Sequence, residues 1–173
     1  MKRTIIIFIL LVFQLPSIKA QTNCSFQIDT NRILTNQNLD QFLSLLKTDS
    51  LRITFNKDDI PEFIKAELDC LTHNFRIANP KERYNATDVI DKDLPGRQLI
   101  FLGLGKNLFL MQYYIGGIGK STNLLLVKFN SEQILEIWKG FGLDDTKNIK
   151  DIPNFLETGR KRHWGLNTNC LYF

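Results

Sequence analysis

Histidine is scarce in this chain, with two residues in 173, and that scarcity removes most metal and imidazole chemistry. His73 and His163 lie far apart, and neither has a ligand-type residue spaced for a metal site. No nucleophile-elbow sequence is present to support a hydrolytic Ser, His and Asp set. Long apolar runs are missing too: the longest, Ile5 to Val12 extended through Phe13 and Leu15, falls short of the ~20 residues a spanning helix needs. There is no Pro-rich or Ser/Gly-rich linker, no low-complexity tract and no long repeat. Linked domains, repeat arrays and a stable membrane anchor are therefore not expected.

The opening twenty residues read as a cleaved secretory signal. Lys2 and Arg3 precede the apolar run, and Ser17-Ile18-Lys19-Ala20 ends on a small residue. Gln21-Thr22-Asn23 before Cys24 lacks the small apolar residues of a lipoprotein box. Of the 22 basic residues, Lys2, Arg3 and Lys19 lie in the signal, against none of the 18 acidic ones. The mature chain is thus close to neutral, about +1, and a nucleic-acid role loses its compositional support. Residues 21–173 have the length of one ordinary domain. Export to the periplasm or the exterior favours a disulfide. Three cysteines remain, and the expected pair is Cys24 with Cys170, since domain termini often lie close together, leaving Cys70 free on a helix face. Cys70 with Cys170 is the second choice. Asn23 and Asn85 begin glycosylation sequons.

Periodicity supplies the elements. Leu39, Phe42, Leu43 and Leu46 recur at helical spacing, predicting a helix from about Asn36 to Lys47. Leu51, Ile53 and Phe55 alternate with polar residues, as in an edge strand. Asp59 and Glu62 form a capping-box pattern with Pro61 in the first turn, opening a helix that runs to His73 or Asn74. Residues 97–139 then hold four β-favouring runs separated by turn signals, Gln98 to Leu102, Leu108 to Ile115, Leu124 to Phe129 and Ile134 to Lys139. They predict an antiparallel meander. Both its faces are apolar, Phe109, Met111 and Tyr113 on one and Leu108 and Leu110 on the other, so both must be covered, one by the two N-terminal helices and the other by the C-terminal segment, closure of a curved sheet or a second subunit. Asp151-Ile152-Pro153 opens a short last helix that ends near Gly159. The fold class is α+β: a mainly antiparallel meander packed by two helices before it and a short helix after it.

Gly116-Gly117-Ile118-Gly119-Lys120-Ser121 resembles a phosphate loop, but the first glycine of that motif would fall on Tyr114, and a strand follows where a helix is required. Nucleotide binding is not expected. A glycine-rich hairpin is, lying near Pro95-Gly96 and Lys139 to Gly142 and at the opposite end of the sheet from Gly103 to Lys106. The candidate binding surface is that end: Tyr114, Gly116, Gly117, Gly119, Lys120, Trp138 and Phe141, where mobile backbone sits beside aromatic anchors. Asp88, Asp91 and Asp93 lack the glycine and closing glutamate of a calcium loop. The basic run Arg160 to Arg162 with Trp164 reads first as a solvated cap on a helix C-terminus and second as a contact for an acidic partner, a membrane head-group or a polysaccharide acid.

No catalytic residue, metal or cofactor is expected. The reading is an exported, non-enzymatic binding or interaction protein with an unidentified protein or glycan partner outside the cytoplasm. The rivals are a small hydrolase acting on an extracellular polymer, through a carboxylate of the Asp88 to Asp93 loop or His163, and a structural subunit of an oligomer.

Overall fold

The computed structural model describes residues 24–131, 133–143 and 148–161. The expected signal, the Cys170 end of the chain and His163 lie outside them. The protein is α+β. Five strands, β1 (Arg52–Thr54), β2 (Arg97–Leu104), β3 (Leu108–Ile115), β4 (Ser121–Asn130) and β5 (Gln133–Phe141), form one antiparallel sheet in the order β1-β2-β3-β4-β5. The four strands β2 to β5 are the expected meander. β1 pairs with the outer edge of β2 over Leu102 to Leu104. Further along that edge the bridge at Ala78 takes over, its N–H donating to the Arg97 carbonyl and its carbonyl accepting from Leu99 N–H, both at 2.9 Å.

Even and odd residues of the central strands feed two separate cores. Leu108, Leu110, Leu124, Leu126 and Trp138 face one side. Phe109, Met111, Tyr113, Leu125 and Val127 face the other. A bulge between Leu99 and Phe101 in β2 lets Leu99 and Leu102 share the second face while Phe101 joins the first. On the first face lie α1 (Thr30–Leu34), α2 (Leu39–Thr48) and α4 (Ile152–Thr158), through Ile33, Phe42, Leu43, Ile152 and Leu156. On the second lies α3 (Glu62–Thr72), through Ile64 and Leu68. The two long helices thus cover opposite faces, where both N-terminal helices were expected on one, because Phe42 and Leu43 pack with the even-numbered strand residues and Ile64 and Leu68 with the odd-numbered ones.

The helix starts differ from the expected ones for local reasons. α1 was not visible in the sequence: it has five residues, and Asp29 caps it by accepting the Arg32 N–H at 3.0 Å. Asn36 adopts the left-handed region at φ 56°, which short polar side chains tolerate, so it turns the corner between α1 and α2 and does not cap the latter. Its side chain accepts from Trp138 Nε1 at 3.2 Å and donates to the Arg160 carbonyl at 3.2 Å. Asp59 does not cap α3 either. It closes a 3-10 turn, and its carboxylate accepts the Thr54 hydroxyl and faces Arg52 at 3.7 Å.

The expected Cys24 to Cys170 pairing is overturned. Cys24 is bonded to Cys70, so Cys70 is not free. The chain after Cys24 docks on α3: Glu67, one turn before Cys70, accepts the Phe26 N–H at 2.8 Å and the Ser25 hydroxyl. Contact between the arm and α3, more than proximity of termini, chose the partner. The disulfide fits an oxidising compartment, and no helix among the described residues is long and apolar enough to cross a membrane.

Candidate functional site

The glycine-rich hairpin joins β3 to β4, and its neighbours are those the topology demanded. Gly116 N–H donates to the Gly96 carbonyl at 3.2 Å, and Gly142 N–H to the Thr122 carbonyl at 2.9 Å. Tyr114 pairs with Thr122, and Phe141 with Asn123. The structure therefore brings Tyr114, Gly116 to Lys120 and Phe141 to one end of the sheet. Gly116 is pressed against the loop before β2: a Cβ there would stand 1.7 Å from the Asn85 carbonyl oxygen, so only glycine allows the approach. Gly117 has φ 135°, which also favours glycine.

Trp138 does not belong to this surface. It pairs with Leu126 in mid-sheet, is fully buried and is hydrogen-bonded to Asn36. β5 runs on through Gly140 to Phe141, which moves Trp138 inward from the strand end. No partner can touch it in the folded protein. The turn at Gly103 to Lys106 lies at the far end as expected, and Asp49 fills it: the carboxylate accepts the Lys106 and Asn107 N–H groups at 3.3 and 3.2 Å.

What the sequence did not reveal is the contribution of the 79–95 loop. Asn85 organises it, donating through Nδ2 to the Asp91 and Leu94 carbonyls at 2.9 and 3.0 Å and accepting the Asp91 N–H at 2.9 Å. Through Asn85 and Ala86 this loop lies on the hairpin at Gly116. It carries Tyr84, whose hydroxyl is pushed above its usual pKa by burial and by nearby Tyr114. Lys120 Nζ sits 4.2 Å above the Tyr114 ring, a cation–π arrangement. Three large apolar side chains stand in solvent on the two loops: Ile118 at the hairpin tip, wholly exposed at 101%, with Val89 at 79% and Ile90 at 75%.

No family model, curated protein or solved structure matches the chain. The described residues hold no group of three or more His, Cys, Asp or Glu placed to bind a metal ion. Asp91 accepts the Asp93 N–H at 3.0 Å within its own loop.

Proposed function

We propose that this is an exported binding protein that captures a protein partner outside the cytoplasm through the Ile118, Val89 and Ile90 end of the sheet. The observation that carries the reading is the fully exposed Ile118 at the tip of a hairpin whose Gly116 packs against Asn85 and Ala86, in the loop that also exposes Val89 and Ile90. Exposed isoleucine and valine are expensive to leave wet, and apolar tips on two loops in contact, one of them carrying Lys120 next to Tyr114, have the makings of an interface hot spot. The interspersed Asp88, Asp91 and Asp93 against Lys92 and Lys120 do not favour an anionic bilayer, so a protein is the better occupant.

The test is capture of partners from the native extracellular milieu by the mature protein, its Ile118→Asp/Val89→Asp variant and a Leu135→Ser control. Leu135 is also exposed and lies near the opposite end of the sheet. The loop variant should lose at least about tenfold of the affinity for a protein that the control keeps. Equal capture by all three, or loss of binding to lipid vesicles alone, refutes the reading.

A further inference from the structure

A second surface lies on the α3 side of the molecule. The 3-10 turn at Lys57–Asp59, the start of α3 and the segment 75–83 enclose a cleft of about 280 Å³. Apolar side chains line part of it: Ile60, Phe75, Ile77 and Ala78 keep 7%, 5%, 8% and 2% exposure, and the first three belong to the same core cluster as the fully buried Ile64 and Leu68. Arg97 stacks on Phe75, its guanidinium carbon 5.3 Å from the ring centroid.

The walls carry an excess of cations: Lys57, Lys65, Arg76 and Arg83 against Asp58 and Glu82. Glu82 is committed, accepting the Asn79 N–H at 2.7 Å and its side-chain amide at 3.2 Å, and facing Lys57 at 3.5 Å. Lys57 and Glu82 thus offset one another. Arg76 donates to the Lys92 carbonyl at 2.9 Å and to the Asp93 carbonyl, contacts that orient the guanidinium without neutralising it. Among the described residues no carboxylate lies within ion-pair distance of Lys65, Arg76 or Arg83. Beside Glu82, Asp58 is the other carboxylate lining the cleft, and Glu62 and Asp69 share the adjoining hollow with Lys65.

The geometry points to a binding site for a small amphipathic organic anion, a carboxylate or sulfonate head meeting Lys65, Arg76 and Arg83 while its apolar body lies on Ile60, Phe75 and Ile77. A cleft of this size suits a short acyl chain or a single aromatic ring. Charge alone would select phosphate, and an apolar lining alone would select any short amphiphile. The combination selects both properties in one molecule.

Isothermal titration of the mature protein with octanoate, octylammonium and inorganic phosphate at low salt tests this. Octanoate should bind one equivalent, weaken as salt is added and bind at least about tenfold more tightly than the other two. Lys65→Glu/Arg83→Glu should lower octanoate affinity by at least about tenfold; both residues are exposed, so thermal unfolding should be unchanged. The Ile118→Asp/Val89→Asp variant should bind octanoate as the wild type does, which separates this site from the hairpin surface. No octanoate binding, equal binding of octylammonium, equal binding of phosphate, or an unaffected Lys65→Glu/Arg83→Glu variant overturns the proposal.

Discussion

Removing the Cys24–Cys70 bridge is the sharpest test of how the first segment of the described chain is held. The bond spans 46 residues, and releasing a loop of that length costs about 4 kcal/mol in the chain-entropy model. For a chain of this size that corresponds to a fall of about 8–16 °C in Tm. The same arm is held independently by Glu67, whose carboxylate takes the Ser25 hydroxyl and the Phe26 N–H. Glu67→Gln should cost about 1–3 kcal/mol, because Phe26 N–H and Ser25 are left poorly satisfied. The two effects act on one docked segment, so they should not add. Once Cys24→Ala/Cys70→Ala has freed the arm, Glu67→Gln should cost much less than it does in the bridged protein. Urea unfolding of the four proteins gives the cycle. Full additivity, a loss below about 1 kcal/mol on removing both cysteines, or peptide mapping that joins Cys24 to Cys170 refutes the reasoning.

Two further outcomes follow from single side chains. Trp138→Ala should destabilise the protein by about 3–5 kcal/mol through the cavity left between α1, α2 and the sheet, seen as an earlier urea midpoint and loss of near-ultraviolet dichroism; a change under about 1 kcal/mol would contradict its burial. Glu82 is held below its usual pKa of 4.5, first by the Asn79 N–H, then by the Asn79 side chain and Lys57. A depressed carboxyl contributes stability that is complete above its unfolded value and is lost as pH falls through the folded one. Glu82→Gln should therefore reduce the acid sensitivity of the urea midpoint below about pH 5; an unchanged profile would show that the contact carries no linkage.

The sheet was legible because its signal is local. Leu108 to Ile115 and Leu124 to Phe129 are apolar at even and odd positions alike, and only strands buried on both faces read that way. α2 and α3 were legible through their 3.6-residue periodicity. Where several distant groups compete for one side chain, local patterns failed. Asp59 has the right spacing for a cap but is taken by Thr54. Thr30 and Asn31 are weak helix formers, and α1 exists because Asp29 caps it and Ile33 is buried. Gly140 suggested the end of a strand that in fact continues to Phe141, and that put Trp138 at the wrong place. The hairpin end was placed correctly by topology alone. Its apolar partner loop and the cationic cleft were invisible, since Lys65, Arg76 and Arg83 come from separate segments that no spacing connects.

The order of the strands has a kinetic consequence. From β2 to β5 each strand pairs with the next one in the chain, so this part can zip together one hairpin at a time with small loop-closure penalties. β1 is the exception, divided from β2 by α3 and the long loop. Its pairing must await a search over many residues, so the three-residue strand and the Ala78 bridge should be the last of the sheet to gain protection from hydrogen exchange during refolding.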